Sequence, residues 1–186
     1  SHLVLEVDKD SLVNEWLQSL QQDVRSTLEK SQINVASLRR TQTAIEVRIS
    51  DPAKMQQALS DLNGIANQVQ AAALTASDLT ITSTGADTLR VLPSEAGLSH
   101  RMTQAVTQSL EIIRQRVDQV GVAEPTIQRV GGDRVLVQLP GEQDPSNLRA
   151  LLGSTAKMSF HLLGREGEPG ITVMNDAEGR PYPVQN

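Results

Sequence analysis

The sequence predicts an α+β fold in which two βαββαβ units with antiparallel sheets follow one another. Apolar residues alternate with a period of two in some segments and recur every three or four residues in others, which is typical of strands and helices respectively. The order strand, helix, strand, strand, helix, strand occurs twice along the chain. An Asp-Pro pair begins a helix at the same place in each order, at Asp51-Pro52 and at Asp144-Pro145.

The first unit is predicted over residues 1–84. Its opening strand alternates Leu3, Leu5 and Val7 with polar residues, and a helix runs from Asp10, the expected N-cap, to Lys30. Trp16 falls on the apolar face of this helix, so we expect it in the core. Strands follow at residues 33–40 and 45–50, and a last strand includes Leu79 and Ile81. The second helix, from Asp51-Pro52, has the apolar stripe Met55, Leu59, Leu62 and Val69.

The second unit is predicted over residues 85–163. A strand with Leu89 and Val91 precedes a helix that opens at Ser94-Glu95 and ends at Gly121, which we expect in the left-handed conformation. Strands at 126–130 and 134–139 flank a hairpin turn at Gly131-Gly132-Asp133. A short helix with Leu148, Leu151 and Leu152 ends at Gly153, and the last strand carries Met158, Phe160 and Leu162.

Two successive units of this kind correspond to the ferredoxin-like plan, in which two helices cover one face of a four-stranded antiparallel sheet. From Gly164 onward the pattern fails. Residues 164–186 contain two short strand-like pieces, at 171–174 and 181–184, separated by turn-forming residues. We interpret them as a loose hairpin or an incomplete subdomain.

Composition excludes several function classes. The 186 residues include 17 Lys and Arg and 22 Asp and Glu, for a net charge of -5, which disfavours nucleic acid as a partner. The chain has no Cys, so thiol catalysis and thiolate metal sites are excluded. One Trp, one Tyr and one Phe leave almost nothing on which bases could stack. No run of residues is long and apolar enough for a membrane span, and no signal peptide is evident.

No residues stand out as a catalytic or metal site. His2, His100 and His161 lack the spacing that aims two imidazoles at one metal. Gly131-Gly132 lies between two strands, so no helix N-terminus would face a bound phosphate. Asp118, Glu124 and Asp133 lack the spacing of a calcium loop and are interpreted as solvated surface charges. We therefore predict no enzyme activity, no cofactor and no metal.

One segment identifies a family. Residues 114–141, which read RQRVDQVGVAEPTIQRVGGDRVLVQLPG, resemble the first periplasmic domain of the SecD/SecF family of protein-export subunits. Residues 152–160 resemble the next helix end and strand of that family. Residues 1–8 resemble the strand that follows its first membrane helix, and we expect the chain to be a fragment of a longer protein. The similarity is strong over 110–163 and looser over 9–93.

The resemblance implies a non-catalytic domain on the periplasmic face of the inner membrane, anchored by segments outside this sequence. It implies contact with the emerging preprotein, coupling to proton-driven movement of the membrane part during late export, and SecF and the Sec channel as partners. Residues 164–186 would be the truncated start of a head subdomain, and we expect this tail to be poorly ordered or to pack unlike the intact domain. Neither proton-carrying nor client-binding residues can be named.

Two alternatives to client contact remain open. In one alternative, the domain docks SecF and other translocase subunits and makes no direct contact with the client. In the other it is a small-molecule sensor, because paired ferredoxin-like units can bind ligands between them.

Overall fold

The computed structural model describes residues 2–140, 160–163, 172–175 and 181–184. Within them the chain forms three α-helices and twelve strands, which confirms the α+β class with antiparallel sheets. The helices are α1 (Lys9–Lys30), α2 (Met55–Asn63) and α3 (Glu95–Val120). The strands are β1 (His2–Val7), β2 (Val35–Arg40), β3 (Ile45–Ile49), β4 (Gln68–Ala71), β5 (Leu74–Ser77), β6 (Leu79–Ser83), β7 (Thr88–Pro93), β8 (Thr126–Val130), β9 (Arg134–Gln138), β10 (Phe160–Leu163), β11 (Thr172–Asn175) and β12 (Pro181–Val184).

The chain divides into two compact units. The terminal unit comprises residues 1–12 and 101–186, and the middle unit comprises residues 13–100. This division differs from the predicted boundary between residues 84 and 85. The reason is strand pairing over long sequence separations, which alternation of apolar residues along a strand does not encode.

The terminal unit contains a six-stranded antiparallel sheet in the order β12-β11-β10-β1-β9-β8. Strand β1 lies inside this sheet, paired with β9 on one side and β10 on the other. Its apolar side chains pack against α3 and β9. The core of the unit consists of Leu3, Leu5, Val7, Ala105, Val106, Ile113, Val117, Val135, Val137 and Leu139.

The middle unit contains a four-stranded antiparallel sheet in the order β2-β3-β7-β6, with β4 and β5 as a separate hairpin. Strand β7 lies between β3 and β6. Thus β1 is not in the sheet of β2, β3 and β6, and β7 is not in the sheet of β8, β9 and β10. The core of this unit includes Trp16, as predicted, together with Leu17, Leu20, Val24, Leu28, Ile45, Ile49, Leu62, Leu89 and Val91.

Several local predictions are confirmed. The carboxylate of Asp51 accepts a hydrogen bond from the Ala53 amide at 3.0 Å and caps a short 3-10 turn, Pro52–Lys54, that leads into α2. Gly121 has a φ of +74° at the end of α3, as the left-handed C′ position requires. Gly131, with a φ of +65°, turns the hairpin that joins β8 to β9.

Two local predictions are wrong. The N-terminus of α1 is capped by Asp8 rather than Asp10, because its carboxylate accepts hydrogen bonds from the amide and hydroxyl of Ser11 at 3.1 and 2.8 Å. Val69 belongs to β4 and not to the stripe of α2, which ends at Asn63. The predicted helix from Asp144-Pro145 to Gly153 and the residue Met158 lie outside the described residues.

The predicted tail contains β11 and β12, an antiparallel hairpin that extends the six-stranded sheet beyond β10. Residues 164–186 were interpreted above as a loose hairpin or an incomplete subdomain, and the pairing of β11 with β12 fits the hairpin. The side chains of the tail lie outside the described residues, so the expectation about its packing stays a prediction.

The buried residue Asp78 and the hydroxyl of Ser94 fix the start of α3. Asp78 accepts a hydrogen bond from the Asn67 amide at 2.7 Å through its carboxylate, and its backbone carbonyl accepts one from Ser94 at 2.9 Å. The Ser94 hydroxyl donates to the Ser77 carbonyl and accepts from the Gly97 amide, which caps the helix. Gly97 lies so close that a Cβ placed on it would be 2.8 Å from the Asp78 Cα.

We predict that Gly97→Ala destabilises the protein. Alanine normally stabilises a helix interior by about 1 kcal/mol over glycine, but here its methyl group would overlap the Asp78 backbone. The expected net loss is about 1–3 kcal/mol, in the range of overpacked cores, measured by urea unfolding. Gly132→Ala is the control, because a Cβ there has nothing within 4 Å. A Gly97→Ala variant that is more stable than the parent would contradict this packing.

Leu5→Ala and Leu89→Ala form a matched pair that tests the strand arrangement. Both leucines are buried on a central strand, β1 or β7, and each substitution should cost about 2–5 kcal/mol. Leu5→Ala should lower amide hydrogen-exchange protection in β8 and β9, and Leu89→Ala should lower it in β3 and β6. The opposite assignment, with Leu5→Ala exposing β3 and β6, would instead support a boundary at residues 84 and 85.

Candidate functional site: a charged groove on the four-stranded sheet

The three histidines occupy different elements. His2 lies in β1, His100 is half-buried in α3, and His161 lies in β10. The side chains of His2 and His161 lie outside what the structure describes.

The three carboxylates considered as a cluster are placed separately as well. Asp118 is exposed on α3, Glu124 is exposed in the turn before β8, and Asp133 lies in the hairpin beside Arg134. Among the described residues, no group of three or more His, Asp or Glu side chains is arranged to hold a metal ion.

A polar surface that was not predicted from the sequence lies on the four-stranded sheet. The four-stranded sheet has one face packed on the core, and the opposite face forms an open groove of about 510 Å³. Alternation explains its polarity: Ile45, Val47 and Ile49 of β3 are buried, so Glu46 and Arg48 point to the other side. The groove is lined by Ser37, Arg39, Glu46, Val47, Arg48, Thr84, Thr88, Leu89 and Arg90.

Strand register aligns opposite charges across the sheet. Glu46 of β3 lies directly opposite Arg39 of β2 and, on its other side, opposite Arg90 of β7. The Arg39 guanidinium donates a hydrogen bond to Glu46 Oε2, and Arg90 Nε lies 4.0 Å from Glu46 Oε1. Arg48 Nε lies 3.2 Å from a carboxylate oxygen of Asp87. Directly opposed opposite charges stabilise a strand pair, although exposed pairs contribute little.

Glu46 is held in its charged form by these neighbours. The hydrogen bond from Arg39 lowers the pKa of the Glu46 carboxyl below its ordinary value. Partial desolvation opposes this effect, and the positive charges of Arg39 and Arg90 reinforce it. The same hydrogen bond raises the pKa of Arg39.

Arg90 is the least satisfied of the three arginines. Its Nε is buried and finds no hydrogen-bond acceptor among the described residues. The separation of 4.0 Å from Glu46 exceeds the 2.7–3.2 Å typical of an N–H···O hydrogen bond. The side chain as a whole is 40% exposed, so other parts of its guanidinium reach the open groove. The groove thus presents a partly exposed cation whose contact with Glu46 is longer than a hydrogen bond.

A sequence signal existed for part of this surface. The alternation of Glu46 and Arg48 with apolar residues predicts a charged outer face for β3. The contribution of Arg90 was not predictable in the same way, because it depends on β7 pairing with β3 rather than with β9.

The ion pair between Arg39 and Glu46 predicts a pH dependence. Because the pKa of Glu46 is lower in the folded than in the unfolded state, its stabilising effect is present above the ordinary glutamate pKa and is lost as the pH falls through the lowered value. Glu46→Gln should therefore lower the thermal midpoint near neutral pH, and the difference from the parent should vanish in acid. Circular dichroism melts over a pH series measure this.

Glu29→Gln, which removes one exposed negative charge from α1, is the control for a change in net charge. A difference between Glu46→Gln and the parent that persists at the lowest pH at which both fold would contradict the assignment.

In the described part of the chain, no helix combines the length and apolarity needed to cross a membrane.

Comparisons with known proteins identify the family. Residues 106–165, which include most of α3 and strands β8 to β10, match the family described as protein translocase subunit SecDF, P1 domain, N-terminal. Protein translocase subunit SecD from Acetobacter pasteurianus is 33% identical over 195 residues, which cover 99% of this chain. The SecD proteins of Rickettsia conorii and Escherichia coli K12 are 32% and 33% identical, over 88% and 87% of this chain.

The chain spans only 36%, 29% and 25% of the lengths of these three relatives. The alignments nevertheless extend over nearly all of its own residues, so the similarity is not confined to the matched segment of the terminal unit. Residues 106–165 thus belong to the family of SecDF P1 domains, and the chain as a whole is similar to SecD protein translocase subunits over nearly all of its length.

Proposed function

We propose that this chain is a non-catalytic periplasmic domain of a SecD subunit that holds the emerging preprotein and couples proton-driven movement of the membrane part to late-stage export. In this proposal SecF and the Sec channel are its partners, and membrane segments outside this sequence anchor it to the inner membrane. Family membership supports the assignment to export, and the open sheet edges support direct contact with an unfolded chain.

The proposal includes two ferredoxin-like units with exchanged first strands. The ferredoxin-like plan places its four strands in the order 4-1-3-2. The order β10-β1-β9-β8 fits this plan with β1 as the first strand of the terminal unit, and β6-β7-β3-β2 fits it with β7 in the first-strand position. By chain order, β1 would be the first strand of the middle unit and β7 the first strand of the terminal unit. In the structure β1 instead occupies the first-strand position of the terminal unit, and β7 occupies that of the middle unit.

Strand β8 is the surface that carries the client-binding proposal. It lies at one end of the six-stranded sheet with β9 on one side and, in the described ranges, no strand on the other. Its residues Gln128, Arg129 and Val130 are exposed, and Val130 is 42% exposed. An open edge offers backbone donors and acceptors to an added strand of any sequence.

The edge at β8 lacks a device that protects other edges. Lysine or arginine side chains often guard open edges, but the Arg129 guanidinium donates a hydrogen bond to the Thr107 hydroxyl on α3. By contrast, β2 carries the exposed Arg40 and has an irregular register between Val35 and Ser37. Irregular pairing and charge both discourage strand addition. Strand β8 is therefore the better acceptor.

Backbone pairing suits a translocation machine because it is sequence-tolerant. A five-residue edge provides a few hydrogen bonds, each with a net contribution of about 1 kcal/mol. Binding through such an edge is weak and reversible, so a captured chain can be released between steps.

Site-specific photocrosslinking tests this proposal. A benzoylphenylalanine at position 128 should crosslink to a permanently unfolded client protein added to the domain. The same probe at Gln22, an exposed glutamine on α1, is the matched control and should crosslink much less. Gln128→Lys should lower client capture by placing a charge on the edge, whereas Gln22→Lys should not.

Crosslinking at position 22 equal to that at 128 would contradict client capture by this edge. Capture that is unchanged in Gln128→Lys would contradict it as well. If Gln128→Lys instead disrupted assembly with other translocase subunits and left capture intact, the docking alternative would replace the proposal.

A further inference from the structure

The charged groove of the middle unit has a second property that the proposed function does not use. It is lined by Arg39, Arg48, Arg90 and Glu46, and Asp87, which does not line it, pairs with Arg48. The local balance is thus one positive charge in excess (three minus two), on a chain whose overall charge is -5. A positive recess on an otherwise acidic molecule attracts anionic groups selectively.

Arg90 is the most loosely paired arginine of this recess, since its Nε lies 4.0 Å from Glu46 whereas Arg48 lies 3.2 Å from Asp87. The buried Nε of Arg90 has no hydrogen-bond acceptor in the described ranges, and the carboxylate of Glu46 is drawn toward Arg39 on the other side of β3. The Arg90 side chain is 40% exposed and lines the groove, so an incoming carboxylate can reach the exposed part of the side chain. A hydrogen bond between an arginine and a carboxylate is also stronger than one between neutral groups.

The spacing of the arginines favours an extended peptide over a single small anion. Arg48 and Arg90 lie on neighbouring strands, with Arg90 opposite Glu46 and Arg48 two residues further along β3. Diagonal neighbours of this kind are about 7–8 Å apart. Side chains on alternate residues of an extended chain are separated by about 7 Å. Two carboxylates at positions i and i+2 therefore match the spacing of these two arginine positions on the sheet.

Hydroxyl groups complete the lining of the groove. Thr84, Thr88 and Ser37 border it, and the Thr84 hydroxyl donates to the Thr88 hydroxyl at 3.0 Å. Such groups can donate or accept hydrogen bonds and suit the polar backbone of a peptide. We propose that this groove is a binding site for an acidic polypeptide segment in extended conformation, with Arg90 and Arg48 as its carboxylate-binding residues.

Glu46 acts in this site as an internal competitor. It engages Arg39 directly and lies beside Arg90, so it occupies part of the positive potential that a ligand needs. Removing its charge should strengthen binding, whereas removing an arginine should weaken it. The site thus predicts effects of opposite sign from neighbouring residues, which general damage to the fold would not produce.

The test uses the full chain and a fluorescein-labelled peptide of alternating glutamate and serine, with alternating glutamine and serine as the uncharged control. Fluorescence anisotropy should show saturable binding of the acidic peptide alone, weaker at higher salt. Arg90→Gln and Arg48→Gln should each weaken binding about tenfold. Glu46→Gln should tighten it several-fold.

Arg40→Gln is the matched control, because Arg40 is an exposed arginine on β2 that does not line the groove. Equal weakening by Arg40→Gln and Arg90→Gln, or no tightening by Glu46→Gln, would overturn the site. Binding to vesicles of phosphatidylglycerol without binding to the acidic peptide would overturn it in favour of a lipid surface. Because client capture is tested separately at β8, the two proposals can fail independently.

Discussion

Each sheet depends on a central strand that has at least one partner distant in the sequence. Strand β1 pairs with β9 and β10, more than a hundred residues later, whereas β7 pairs with the preceding strand β6 and with β3, from which α2 and β4 to β6 separate it. These two strands bring Leu5 and Leu89 into separate cores. Closing such long loops costs entropy before any pairing offsets it, although the cost rises slowly with loop length. The burial of apolar side chains on β1 and β7 has to offset this entropy cost, and the rest of the structure depends on it.

The charged groove follows from the same pairing. Because β7 lies beside β3, Arg90 faces Glu46, and the buried side chains on the opposite face fix which residues point outward. A shift of the β7 register by one residue would turn Arg90 toward the core. The cationic surface of the middle unit and its core are thus two consequences of one strand arrangement. The edge at β8 is set by pairing in the other sheet, which makes the two candidate surfaces structurally separate.

Local chemistry was largely predictable from sequence. Asp51-Pro52 begins a helical segment and Gly121 ends α3, because capping and left-handed backbone are properties of a few neighbouring residues. One error arose because Asp8 and Asp10 are both suitable N-caps for α1. Another arose because Val69 fits the spacing of a helix stripe as well as the alternation of a strand. The candidate site was predicted only in part, since Glu46 and Arg48 share a strand whereas Arg39 and Arg90 lie on its neighbours.

Four features could be predicted from the amino-acid sequence alone: the α+β class, most element positions, the hairpin at Gly131 and, through the segment after Arg114, the similarity to the SecD family. Each of these rests on residues that are close together along the chain. The sheets that β1 and β7 join became known from the tertiary structure. The division into two units and the groove around Arg90 follow from that strand pairing. The alternation of apolar residues indicates that a strand has one face to bury, but it does not indicate which strand lies beside it. That choice is made by packing among residues far apart in sequence.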